Sequence, residues 1–141
     1  MFVDASALVA VLKGEPDGPA YLKAMEVARG KIRVSPIVRL EAAIALARTR
    51  RDGRGDTHAT AEDFAVAAEL VADLLDAIGA DEMLVTPAIG REAIEVMGRY
   101  GKLTGHPAKL NMGDALSYAC AKAEAVPLLY KGRDFSETDL A

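Results

Sequence analysis

Four short apolar runs, at residues 2–3, 32–35, 83–85 and 126–130, alternate with longer stretches whose apolar residues recur at helical spacing. No other feature constrains the fold as strongly. Strands separated by helices are joined by crossovers and so run parallel, which predicts an α/β sandwich with a short, mostly parallel sheet of four or five strands between helices. Asp4 ends the first run and caps a helix over 5–12. From Pro36 a helix begins with Ile37, Leu40, Ile44 and Ala47 in one stripe, and residues 51–57 read as a polar, glycine-bearing connection. Thr60 and Asp63 form a capping-box start, followed by Phe64, Ala67, Val71, Leu74, Leu75 and Ile78 at helical spacing. Thr86-Pro87 opens a further helix through Ile89, Ala93, Val96, Met97 and Tyr100. Residues 101–110 read as a loop, 111–124 as a helix and 131–141 as a polar end. With no repeat and no linker, residues 1–141 read as one domain.

Several chemistries are excluded early. Half of the 141 residues are apolar, so a core forms without staples, and Cys120 is the only cysteine. That rules out an internal disulfide and a cysteine-rich zinc site; two distant histidines, His58 and His106, do not make a metal cage. No apolar run is long enough to span a membrane. Asp4 and the turn at 13–17 break up the N-terminus, so it does not read as a signal peptide, and the expected compartment is the cytoplasm.

Net charge is −4, but the distribution matters more. Arg48, Arg50, Arg51 and Arg54 surround a single acid, Asp52, and Arg99, Lys102, His106 and Lys109 form a looser run. Each run reads either as a solvated surface or as a phosphate track. With no tryptophan and 5% aromatics, base stacking would contribute little to nucleic-acid binding.

In a parallel sheet, ligands collect beyond the carboxyl ends of the strands. Asp4 follows the first strand directly. Glu41 lies early in the helix after the second, on a stripe with Ile37 and Ile44. Asp114 opens the helix at 111–124, and Asp134 follows the fourth strand. Asp4 also reads as an N-cap, Asp114 as the third helical residue behind an Asn111 cap, and Asp134 as a turn residue. Glu41 fits no such role, because a charge on an apolar stripe is costly unless paired. Clustered carboxylates repel and raise one another's pKa, which a divalent cation relieves. All-oxygen ligation without His or Cys favours Mg²⁺ or Mn²⁺ over Zn²⁺ and suits phosphate chemistry. Neither histidine sits in a triad context, and a P-loop and a GxGxxG turn are absent.

These residues resemble a known family. The start at Asp4-Ala5-Ser6, Arg39-Leu40-Glu41, the segment from Leu110-Asn111 through Gly113-Asp114 to Ser117-Tyr118, and Lys131-Gly132-Arg133-Asp134-Phe135 are similar to the PIN-domain ribonucleases. Among these, they match the VapC toxins of bacterial type II toxin–antitoxin modules, over essentially the whole length. The resemblance implies a PIN-like three-layer fold and metal-dependent endoribonuclease activity. It implies that Asp4, Glu41, Asp114 and Asp134 bind Mg²⁺ or Mn²⁺, with Ser6 ordering the site. Asp4 and Asp114 would bind directly and Asp134 directly or through water, while Glu41 would orient or deprotonate the attacking water. The implied partners are an RNA substrate, a VapB-type antitoxin and a second copy in a homodimer, with DNA reached only through the antitoxin. Many relatives carry Asn where this chain has Arg133. Thr138 and Asp139 also fall at family positions; Asp139 reads as a surface residue or a further acid at the rim. Arg48, Arg50 and Arg51 are candidate phosphate contacts.

Two other enzyme classes fit less well. A dehalogenase-type phosphatase needs a second Asp where Ser6 stands, and a phospho-acceptor domain needs an acid after the third strand, where Thr86-Pro87 stands. A catalytically inactive PIN-like binding module is the non-enzymatic alternative; it has no use for four mutually repelling acids.

Overall fold

The centre of the molecule is a two-residue strand. Phe2 and Val3 (β1, Phe2–Val3) are fully buried and pair on both sides, with β2 (Ile32–Val34) and with β4 (Leu128–Leu129). The computed structural model describes residues 1–140. A fourth strand, β3 (Ala80–Glu82), pairs with β2, giving the parallel order β3-β2-β1-β4. The helices are α1 (Ala5–Leu12), α2 (Gly18–Val27), α3 (Pro36–Arg54), α4 (Ala61–Ile78), α5 (Pro87–Tyr100) and α6 (Met112–Ala123), with a 3₁₀ turn at Lys102–Thr104. This is the expected α/β arrangement, and its parallel strands bring their carboxyl ends to one edge.

α6 packs on β1 and β4 with α5 against it, while α3 packs on α4 and reaches both α1 and α6. Close helix approach is possible because the buried faces are rich in alanine: Ala42, Ala47, Ala67, Ala115 and Ala119 are all at most 1% exposed. Bulk comes from Phe2, Leu8, Met25, Tyr118 and Phe135, which fill the space between layers.

Four expectations need correction. The third strand is Ala80–Glu82 and not the apolar run at 83–85. Gly79, in the left-handed region at φ 63°, ends α4, and the next three residues pair at once with β2; Leu84 is left 79% exposed. The buried stripe of α3 runs through Val38, Ala42, Leu46 and Ala47, so Leu40 and Ile44 face outward at 53% and 37% exposure. The third is the connection at 51–57, whose first half is helical; α3 continues to Arg54 and is closed by Gly55 at φ 74°. Phe64, expected in the core, is 43% exposed.

No helix among the described residues is long and apolar enough to cross a membrane.

Candidate active site

Asp4 is both a helix cap and a candidate site acid. Its Oδ2 accepts from the Ser6 backbone N–H (2.9 Å) and the Ser6 hydroxyl (2.6 Å), and its Oδ1 accepts from the Ser117 hydroxyl (2.7 Å). The Asp4 backbone N–H donates to the Leu129 carbonyl (2.9 Å), which ties it to β4. The Ser6 hydroxyl in turn accepts from the Lys131 N–H at 3.0 Å. A carboxylate this buried is held by three donors from two segments of the chain.

Asp114 is the third residue of α6 in a reciprocal capping box. Its N–H donates to Asn111 (3.1 Å), and its Oδ2 accepts from the Asn111 N–H (2.8 Å). Burial nevertheless lifts its carboxyl to about 6, against the Asn111 hydrogen bond that favours the anion, with the charges of Asp4 and Asp134 adding to the rise. Glu41 is half-buried on α3. Burial pushes its carboxyl up to about 7, helped by Asp4 and then Asp114. Asp134 is exposed in the loop after β4, close enough for its charge to be felt at Asp114. The four acids therefore form one electrostatic group.

The donor set is oxygen only, which suits Mg²⁺ or Mn²⁺. Among the described residues no three His, Cys, Asp or Glu side chains stand grouped so as to hold an ion between them. Mg²⁺ does not need three: it keeps several waters and takes one or two carboxylates, and at Glu41 and Asp114 neighbouring carboxylates add to the burial that disfavours the anion. The residues fit such an ion. A cavity of about 540 Å³ elsewhere, beside Leu84, Ile89 and Lys122, includes none of the four acids in its lining.

The arginines are placed differently from one another. Arg50 and Arg54 both pair with Asp63, which is 1% exposed; the Arg54 guanidinium holds that carboxyl well below the usual range. Arg51 pairs with Asp52 at 2.7 Å, and Arg48 is exposed with no ion partner among the described residues. Arg133 is exposed beside Asp134. Thr138 is buried and donates to the Phe135 carbonyl (2.8 Å), and Asp139 accepts from the hydroxyls of Tyr118 and Tyr100. Asp139 thus fastens the C-terminal segment to α5 and α6, while Thr138 closes a turn within that segment.

Ser117 and Gly113 were not assigned a role from sequence. Ser117 had a detectable signal: a hydroxyl three residues after Asp114 shares its helix face, on a helix otherwise rich in alanine.

Comparison with known proteins bears on this geometry. The PIN domain family model matches residues 1–140. A VapC ribonuclease of Rhizobium meliloti (strain 1021) is 44% identical over 99% of this chain and 98% of its own length. Ribonuclease VapC42 of Mycobacterium tuberculosis (strain ATCC 25618 / H37Rv) is 34% identical over 99% and 96%. In fold, the chain is similar to the crystal structure of Mycobacterium tuberculosis VapC20, described as a sarcin-ricin loop cleaving toxin. The TM-score is 0.70 and the identity 20%, with 96% of this chain and 92% of that one covered.

Proposed function

The chain belongs to the PIN-domain family, as a VapC-type toxin endoribonuclease of a VapBC toxin–antitoxin system, and on that premise we propose that it hydrolyses RNA phosphodiester bonds at the Asp4–Glu41–Asp114–Asp134 cluster with Mg²⁺ or Mn²⁺. The observation that carries this reading is the convergence of acids from four separate segments: Glu41 feels the charges of Asp4 and Asp114, and Asp114 those of Asp4 and Asp134. When bound, the ion would neutralise the cluster, polarise a phosphoryl oxygen and lower the pKa of a bound water. Asp4, held rigidly by Ser6 and Ser117, supplies a fixed ligand oxygen. Asp114 supplies a second, with its orientation set by the capping box. Glu41, whose carboxyl titrates near neutrality, is suited to accept the proton of the attacking water. Asp134, exposed at the rim, binds directly or through water.

Its substrate is RNA and its partner a VapB antitoxin. The homodimer is part of the proposal, supported by the exposed apolar Ile94 and Met112 beside a groove of about 340 Å³ between α5 and α6. In this reading it acts in the cytoplasm.

The test is cleavage of single-stranded RNA by the purified protein with Mg²⁺ or Mn²⁺, with EDTA, and with the ion restored. Cleavage that stops with EDTA and returns with the ion is expected. Cleavage unaffected by EDTA would remove the metal from the mechanism, and no cleavage under any condition would remove the nuclease.

A further inference from the structure

Gly113 stands at the second position of α6 with an ordinary backbone conformation, outside the left-handed region where glycine is needed. Its lack of a side chain is used differently. A Cβ built there would fall on the Glu41 carboxylate, overlapping Oε1 and standing 2.5 Å from both Cδ and Oε2. The three nearest atoms all belong to Glu41. At Gly18, by contrast, a Cβ would meet the Ala10 carbonyl oxygen at 2.7 Å, and at Gly101 it would run into the backbone of Met97. Those two glycines serve backbone packing, whereas Gly113 makes room for one acidic side chain.

We propose that Gly113 is a positioning residue: the space its missing side chain leaves on α6 is the seat of the Glu41 carboxylate, and any side chain there expels Glu41 from the acid cluster. The inference rests on the nuclease reading above and extends it to a residue that touches neither RNA nor metal. α3 and α6 pack together, so Glu41 cannot retreat by moving its helix without disturbing buried Ala42 and Ala115. Its flexible side chain gives way instead. Displacing a reacting group by about 1 Å can cost on the order of 100-fold in rate. Alanine is also the better helix former, so the substitution should not weaken the fold.

The experiment compares wild type, Gly113→Ala, Glu41→Asp and the double variant. The readouts are kcat and KM on an RNA oligonucleotide and melting temperature without divalent ions. Expected for Gly113→Ala is a melting temperature at or above wild type, an unchanged KM and a kcat lowered roughly 10- to 100-fold. Glu41→Asp withdraws the carboxylate by one methylene and lowers kcat by itself. Adding Gly113→Ala to it should cost nothing more, because the shorter side chain no longer meets the new methyl. The proposal is overturned by Gly113→Ala activity within twofold of wild type, by losses that multiply in the double variant, or by a clearly lowered melting temperature. An inactive wild type would instead defeat the nuclease reading itself.

Discussion

The Ser117 hydroxyl donates to Oδ1 of Asp4 at 2.7 Å across 113 residues of sequence. With Ser6 on Oδ2, both oxygens of the first acid are fixed, and α6, which carries Asp114, is fixed to β1 by the same bond. Ser117→Ala should leave a buried carboxylate oxygen short of a donor, costing about 1–3 kcal/mol of stability. RNA cleavage should fall about 10- to 100-fold, as when a group that orients a metal ligand is removed. Thermal melts and kcat on one RNA substrate check both.

Asp4 and Asp114 serve as cap and candidate ligand at once, and asparagine separates the two roles. Asn caps about as well as Asp at position 4, and at position 114 its amide oxygen can still accept from the Asn111 N–H, so Asp4→Asn and Asp114→Asn should melt near wild type without divalent ions. Wild type should gain melting temperature on adding Mn²⁺ or Mg²⁺, and the variants little or none. Asp114→Asn with a full metal-induced shift and full cleavage would leave capping as its only role.

Stability should depend on pH through Glu41. Its carboxyl is raised from 4.5 to about 7, so the folded state binds this proton more tightly than the unfolded chain. That contribution is complete below about 4.5, declines as pH rises through the interval and is gone above about 7. Asp114, raised from 3.8 to about 6, has the same sign over its own window. Without divalent ions, the melting temperature of wild type relative to Glu41→Gln should therefore fall between pH 5 and 8. With Mn²⁺, which competes with these protons, the metal-induced shift should grow over the same range.

The arginine run divides into structural and free members. Arg50→Gln removes one of the two guanidinium partners of buried Asp63 and should lower the melting temperature, whereas Arg48→Gln should not. If Arg48 tracks a phosphate, its loss should weaken RNA binding and reduce the salt slope by about one. An unchanged slope leaves Arg48 as a solvated helix residue.

Leu40 and Ile44 lie on the outward face of α3, directly before Glu41 and one turn after it. An antitoxin that lays an apolar segment along α1 and α3 would cover both. Leu40→Asp and Ile44→Asp should leave cleavage intact and weaken neutralisation by the VapB partner; pull-down and cleavage in the mixture read the two effects separately.

The arrangement of the candidate site was largely legible because its residues obey local rules. Asp4 and Asp114 sit at helix starts with capping signatures, and Glu41 stood out as a charge that no local rule explained. The parts that were not legible depend on contacts between distant segments. The run at 83–85 is more apolar than Ala80–Glu82, yet Gly79 starts the pairing with β2 earlier, and the acids Asp81 and Glu82 are paired with Arg33 and Arg39. The apolar residues of α3 allowed two stripes, and close packing against α4 chose the one with the smaller side chains. Arg50 looked free because its partner lies 13 residues away, past the turn into α4.

The pairing of β1 with β4 also makes the acid cluster a product of long-range closure. The Asp4 N–H reaches the Leu129 carbonyl, and the Ser6 hydroxyl reaches the Lys131 N–H across 125 residues of sequence. Contacts so far apart along the chain form late and at an entropic cost that local structure does not repay. In refolding, metal-induced stabilisation should therefore return with the complete tertiary fold and not with the helices alone.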